Sequence, residues 1–249
     1  MRVNEESKWL ISFASVLILA SLLLYYLHYF IFQDLHHIGI FALHELAFLP
    51  LEVLLVTLVI HRMLETRERK KRLEKMNMVI GTFFSVLGTS LLRCFSIHNP
   101  NIEQIRNELI ITSDWRLEKF DYAEKEMKNY NFEINICSIN IENLKTFLIK
   151  KEDFLVRLLE NPVLLEHEEF TELLRATFHL TEELHQRKDL SLCTKTDKSH
   201  LEGDINRVYS LLVEEWLEYM KYLKSNYPYL FSLALRTNPF DNNADAFIR

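Results

Sequence analysis

The sequence predicts an all-α protein: a two-helix transmembrane hairpin whose second helix extends into a cytoplasmic antiparallel helical bundle. Three observations predict this fold class. Two long stretches near the N-terminus are almost purely apolar, and later apolar residues recur at helical spacing. Only 4 Gly and 5 Pro occur in 249 residues, which argues against a turn-rich β architecture.

The first apolar stretch, residues 9–32, is 24 residues long and contains no Asp, Glu, Lys or Arg. At 1.5 Å per residue it exceeds the roughly 30 Å hydrocarbon core of a bilayer. It ends in YYLHYFIFQDLHH, which lacks the small-residue cleavage site of a signal peptide. Tyr25, Tyr26 and Tyr29 suit the headgroup boundary. We therefore predict an uncleaved transmembrane helix.

The second stretch, residues 38–60, is followed by a basic segment that sets the predicted orientation. The segment that connects the two stretches has no Lys or Arg, whereas residues 62–75 carry a local charge of +4. The basic residues are Arg62, Arg67, Arg69, Lys70, Lys71, Arg72 and Lys75. The positive-inside rule then predicts a multi-pass protein of the cell membrane with both termini in the cytoplasm.

The same basic residues predict contacts with the lipid bilayer. Each Lys or Arg near anionic headgroups contributes about 1 kcal/mol. Nucleic acid is excluded as a partner, because the whole chain has a net charge of −6 and its acidic bulk repels phosphates.

The chain divides into four predicted regions. They are a transmembrane hairpin (1–61, with spans 9–32 and 38–60), a basic juxtamembrane and amphipathic connecting helix (62–98), a cytoplasmic bundle (99–236) and a C-terminal tail (237–249). Residues 76–92 form an uncharged window of 17 residues. We interpret it as a buried or interfacial helix, and a third span is the alternative.

Prolines and apolar spacing locate the helices of the bundle. The Asn99-Pro100 and Tyr227-Pro228 pairs each predict a helix boundary. The predicted helices are 102–111, one from a Ser113 or Asp114 cap to 130, 144–159, one with Pro162 in its first turn, and 200–225. Residues 131–140 alternate apolar and polar side chains and predict a short extended piece.

Glu45 and Glu52, with His44 beside them, are the main candidate site. Their seven-residue spacing places the two acids within about 20° of each other on one helix face, roughly 10 and 20 Å from its outer end. A carboxylate that faces lipid at such depth is costly, so we expect both acids to face protein or water, or to be protonated. Two alternatives follow. Either each acid is buried in helix packing, or a homo-oligomer forms two acidic rings along a cation pathway.

A metal site in the bundle is a third and more remote hypothesis. Glu182 and His185 form one E-x-x-H, half of the motif of carboxylate di-iron bundles, and the second half is missing. His179, Glu183, His200 and Asp204 are able to converge on one metal ion. Charged residues on an exposed bundle face are commoner, so we assign no catalytic residue, no metal ligand and no cofactor.

Three segments resemble uncharacterised prokaryotic two-span membrane proteins with a helical cytoplasmic domain. They are FALHELAFLPLEVLLVTLVIHR, ENPVLLEHEEFTELLRATFHLTEEL and YPYLFSLALRTNPF. The resemblance covers most of the chain and implies no activity and no functional residue.

The preferred function is therefore that of a self-associating, non-catalytic membrane protein whose cytoplasmic bundle binds a protein partner or regulates assembly. An oligomeric cation channel or proton-coupled transporter built on Glu45 and Glu52 is the alternative, with a cation as its partner. A membrane-tethered, metal-binding bundle enzyme is the remote alternative.

Overall fold

A computed structural model of the chain describes residues 3–164 and 167–247, with side chains from residue 8 onward. The described residues are helical, without a strand, and divide into two compact units, 1–68 and 69–249. The helices are α1 (Val3–Phe32), α2 (Leu35–Phe83), α3 (Thr89–Ile97), α4 (Ile102–Leu109), α5 (Leu117–Lys128), α6 (Ile141–Ile149), α7 (Glu152–Leu159), α8 (Glu168–Gln186), α9 (Lys195–Asn226) and α10 (Pro228–Arg236). The predicted all-α class is confirmed.

The N-terminal unit consists of α1 and the first part of α2. A tight turn joins them, in which Gln33 adopts a φ of 48°. The Asp34 carboxylate then accepts a hydrogen bond from the His37 amide at 3.0 Å and so satisfies one free N–H at the start of α2. Between residues 9 and 60 the large apolar side chains are 44–72% exposed, apart from the half-buried Ile38.

The second unit has an extensive apolar core around α8 and α9. Phe83 and Phe84 pack edge-on against Phe170 of α8 and Trp216 of α9, respectively. Tyr209 of α9 packs in the same way against Phe95 of α3. Burial of aromatic side chains at this density is a main source of stability in helical domains.

Residues 76–92 lie in this core. Met76, Ile80 and Leu91 are buried there, whereas Met78 is exposed. A π-helical segment, Phe84–Gly88, joins α2 to α3. No pattern in the sequence predicts this segment. Gly81 lies directly against the Tyr219 hydroxyl, so its lack of a side chain lets α9 approach closely. The compact unit 69–249 therefore includes residues 76–92, which we predicted to be part of the connecting helix.

Two predicted helix boundaries are wrong. The predicted helix 144–159 is two helices, α6 and α7, which meet at residues 150–151 and each bury their own leucines. The predicted cap at Ser113 or Asp114 is also wrong, because α5 begins only at Leu117. Trp115 is buried in the core, and the exposed residues 112–114 before it form a loop.

The position of Pro162 and the extended piece also need correction. Pro162 lies in a turn in which the Asn161 side chain accepts a hydrogen bond from the Val163 amide, and α8 begins at Glu168 after the His167 cap. Residues 165 and 166 lie outside the described residues. Segment 131–140 is irregular and forms turns instead of a strand, although its alternating apolar side chains are buried.

The C-terminal tail is irregular but anchored. Phe240 is fully buried, and the Asn238 side chain donates a hydrogen bond to the Leu109 carbonyl at 3.0 Å. The Arg106 guanidinium donates to the Phe240 carbonyl at 2.6 Å. These contacts add the first residues of the tail to the core of the second unit.

Candidate functional site

Glu45 and Glu52 project from an exposed face of α2. Neither carboxylate forms a hydrogen bond or an ion pair with any described residue, and His44 beside them is likewise exposed. Pro50 lies between the two acids inside the helix. Proline removes one backbone hydrogen bond of the helix, so a carbonyl near the acids is also left unsatisfied. Within the described residues, the N-terminal unit therefore leaves the charge of both acids uncompensated.

The basic residues of the segment 62–75 are exposed, and they lie within α2, which continues through this segment without a break. The seven predicted lipid contacts, Arg62, Arg67, Arg69, Lys70, Lys71, Arg72 and Lys75, are all on this stretch. A long basic side chain on an exposed helix can place its charge among headgroup phosphates while its stem covers apolar surface. The arrangement suits an anionic lipid surface.

Four candidate metal ligands lie close together on α8 and α9. We call them the His–carboxylate cluster. It comprises His179 and Glu183 on α8 with His200 and Asp204 on α9. His200 Nε2 lies 3.4 Å from Asp204 Oδ2 and 3.7 Å from Glu183 Oε2. His179 Nε2 lies 3.8 Å from the same Asp204 oxygen. The two histidines and Glu183 each offer a ligand atom within 4.8 Å of the others.

Local structure fixes the two helices at this point. Thr194 and Asp197 form a reciprocal capping box that starts α9, so His200 follows in its second turn. Arg187 pairs with Glu183 and lies 3.9 Å from Asp197, thereby linking the end of α8 to the start of α9. This guanidinium also holds the pKa of the Glu183 carboxyl below its ordinary value through a hydrogen bond.

A second group of titratable side chains borders a cavity of about 490 Å³ between α5, α8 and α9; we call it the acidic cavity. Its lining residues are Glu124, Lys128, Glu168, Glu169, Glu172, Leu211, Glu214, Glu215 and Glu218. Seven glutamates and one lysine leave a strong excess of negative charge there. The sequence does not single out this site, although the acids recur three or four residues apart on α8 and α9, which is the spacing that places them on one helix face.

Glu215 is the buried member of the acidic cavity, with 3% of the residue exposed. Its carboxylate lies 3.9 Å from His167 Nδ1. That nitrogen accepts a hydrogen bond from the Phe170 amide at 3.0 Å, so it carries no proton to donate to Glu215. Burial, and then the neighbouring glutamates, raise the pKa of Glu215 to about 8. The side chain is therefore neutral at pH 7 in the absence of a bound cation.

Fold and side chains together define a class: an all-helical protein with two apolar N-terminal helices followed by a compact helical domain. Within that class the chain belongs to the family of Uncharacterized protein MJ1433. Residues 4–64 match the family described as MJ1433, N-terminal helical domain, and residues 72–236 match its C-terminal helical domain.

One relative extends this match over almost the whole chain. Uncharacterized protein MJ1433 of Methanocaldococcus jannaschii is 47% identical over 240 residues, which cover 96% of each chain. No solved structure matches the chain. The comparisons thus establish the family and leave its biochemical role to be argued from the structure.

Proposed function

We propose that the chain is an integral membrane protein that self-associates and carries a cytoplasmic helical domain for interaction or regulation, without catalysis of its own. In this proposal residues 9–32 and 38–60 cross the bilayer and both termini lie in the cytoplasm. Residues 62–75 contact the headgroups on the cytoplasmic side, and the second unit faces a cytoplasmic protein partner.

The exposure of the N-terminal helices carries this proposal. Two helices are long and apolar enough to cross a membrane, and their most apolar windows have no buried residue within the described chain. A core helix of a water-soluble protein has similar composition but is buried. Each Leu, Ile, Val or Phe near the centre of an inserted helix contributes roughly 0.3–0.6 kcal/mol to insertion. Exposure of this apolar surface is favourable in lipid and unfavourable in water, so a lipid environment accounts for it.

Self-association follows from the two acids of α2. A charged group at the centre of a bilayer costs a few kcal/mol when it faces lipid, so Glu45 and Glu52 require a polar partner. The described residues of one chain supply none. A second copy presents the same face of the same helix, so a symmetric assembly brings these acids together with His44 of its neighbours.

Extraction and mass measurements test both parts of the proposal on the full chain. We expect the chain to stay in the membrane fraction after an alkaline carbonate wash, and to have the mass of an oligomer in mild detergent. Release by carbonate contradicts membrane insertion. A monomeric mass in several detergents, with insertion intact, contradicts self-association alone.

A cation pathway is the second candidate function, favoured by the uncompensated acids on one face of α2. Glu52→Gln removes one charge per subunit and keeps the side-chain shape, so it is expected to change cation flux into liposomes while oligomer mass stays the same. Glu65→Gln, on the same helix beyond the apolar stretch, is the matched control. Absence of flux from the unaltered protein, or identical flux in Glu52→Gln, rejects the pathway and leaves the packing role.

A further inference from the structure

The His–carboxylate cluster has the donor set and spacing of a metal site. Two imidazole nitrogens and a carboxylate are the ligand types that zinc and other divalent transition ions prefer. The ligands come from two helices, as His179 and Glu183 on α8 and His200 and Asp204 on α9. Each pair is spaced by four residues, so both members of a pair project from the same side of their helix.

The separations between the donor atoms fit a shared ion better than hydrogen bonds. A nitrogen-to-oxygen hydrogen bond measures about 2.9 Å. A tetrahedral ion with ligands at about 2.0–2.1 Å requires donor atoms about 3.3 Å apart. The Asp204 Oδ2 atom lies 3.4 Å from His200 Nε2 and 3.8 Å from His179 Nε2. The ligand atoms of the two histidines lie within 4.8 Å of each other, so the imidazoles have to move closer together to complete a coordination shell.

Asp204 supplies an independent sign that something is bound between these side chains. The residue is 7% exposed, and its Oδ2 atom is buried without a hydrogen-bond partner among the described residues. An unsatisfied buried carboxylate oxygen is destabilising, and such atoms in native proteins ordinarily have a partner. The same oxygen is the one that faces both histidines. A cation at that point satisfies it.

The surroundings hold the ligands in place and leave one side open. Leu180 and Leu201 are fully buried beside the two histidines, so the ligand-bearing helix faces are fixed by the core. Both imidazoles are about half exposed, which gives an ion a route from solvent. The Glu183 carboxylate accepts a hydrogen bond from Arg187 and so differs from Asp204, whose Oδ2 atom has no hydrogen-bond partner among the described residues.

We propose that His179, His200 and Asp204 bind a divalent transition-metal ion, with Asp204 at the base of the site and Glu183 adjacent to the remaining coordination position. Glu183 acts as an outer partner that Arg187 orients. This inference concerns the second unit only and does not depend on whether residues 9–60 cross a membrane.

Metal binding by the full chain in detergent, after removal of metals with a chelator, tests the proposal. We expect one Zn²⁺ per chain by calorimetry and a Co²⁺ visible spectrum of a tetrahedral or five-coordinate site. Mg²⁺ is not expected to compete, because it prefers oxygen ligands. Bound Zn²⁺ is also expected to raise the thermal midpoint of unfolding.

Variants assign the binding to the cluster. His179→Gln, His200→Gln and Asp204→Asn are each expected to weaken Zn²⁺ binding by more than about 100-fold, whereas Glu183→Gln weakens it about 10–100-fold as an outer partner does. His185→Gln, which alters an exposed imidazole on the same helix, is the matched control and leaves binding unchanged. His179→Gln carries the test if Asp204→Asn fails to fold, because His179 is half exposed.

Several results overturn the proposal. One is a folded, metal-stripped chain that binds neither Zn²⁺ nor Co²⁺. Another is binding that persists unchanged in the three ligand variants, as happens when the sites are other surface histidines. Loss of binding in Glu215→Gln together with retention in Asp204→Asn moves the metal to the acidic cavity and rejects the His–carboxylate cluster.

Discussion

The two units of the chain differ in how far they bury the same kinds of side chain. All five phenylalanines between residues 8 and 68 are exposed, whereas eight of the twelve that follow are buried. Trp9 is exposed, while Trp115 and Trp216 are buried. The presence of phenylalanine and tryptophan therefore does not distinguish the two units. The difference is that residues 69–247 contain the partners that cover their own apolar surface.

The contrast indicates what stabilises each unit. In the second unit the apolar surface is removed from water by other residues of the same chain, which contributes about 25 cal/mol per Å². In the N-terminal unit the described residues leave that surface uncovered. Under the proposed function, lipid or further copies of the chain cover it. Substitutions of the same type are thus expected to have different effects in the two units.

Truncation of a phenylalanine gives the largest expected difference. Phe170→Ala opens a cavity in the core of the second unit and is expected to cost about 3–5 kcal/mol of its unfolding free energy. Phe30→Ala, at a residue that is 68% exposed, is the matched control and leaves that free energy unchanged. Denaturant titration of the full chain in detergent, followed by tryptophan fluorescence, measures both. Equal losses in the two variants contradict the contrast in burial.

The buried acid of the second unit gives the next largest effect, and that effect depends on pH. Glu215 keeps its proton in the folded state up to about pH 8, whereas the unfolded chain releases it near the ordinary pKa of 4.5. The folded state binds more protons between these values, so stability falls as pH rises from 4.5 to 8 and is level above that.

Glu215→Gln removes this pH dependence and keeps the shape of the side chain. The variant is expected to gain stability over the unaltered chain as pH rises, by a few kcal/mol at pH 8 and by little at pH 5. Thermal unfolding across this pH range measures the gain. Glu182→Gln, at an exposed position of α8, is the control and shows no such trend. A constant difference between Glu215→Gln and the unaltered chain at all pH values contradicts the burial of the acid.

Loss of a helix cap gives the smallest effect. Thr194→Ala removes the side-chain oxygen that accepts a hydrogen bond from the Asp197 amide, and it is expected to cost about 1 kcal/mol. Thr196→Ala, two residues further on and exposed in the first turn, is the control with an effect near zero. Chemical denaturation resolves the two variants. Indistinguishable midpoints show that α9 does not need its cap.

Helix positions in this protein followed from periodicity and proline, while their exact ends depended on burial. The Tyr227-Pro228 boundary was predictable because proline suits the first turn of α10 and cannot continue α9. The start of α5 was not predictable from the sequence. It depends on the burial of Trp115 in the core, and no local sequence pattern indicates that burial.

The candidate sites also differ in how much of their structure could be predicted from the sequence. His179, Glu183, His200 and Asp204 were identifiable from sequence as residues that are able to converge, since spacing by four places two ligands on one helix face. Their separations depend on how α8 packs against α9, which periodicity does not specify. The burial of Glu215 likewise depends on the three helices that surround the acidic cavity. For Glu45 and Glu52 the sequence indicates that a charge facing lipid is costly, and the described residues of one chain contain no partner that offsets this cost.

Labelling of single thiols from outside the cell tests the central claim, which is that residues 9–60 form a membrane hairpin with the second unit in the cytoplasm. Leu35→Cys, in a chain whose three natural cysteines are replaced, places one thiol at the turn. A second chain retains only the exposed Cys137. We predict that a membrane-impermeant maleimide labels the first chain in intact cells and the second only after permeabilisation. Labelling of both thiols, or of neither, before permeabilisation contradicts the account.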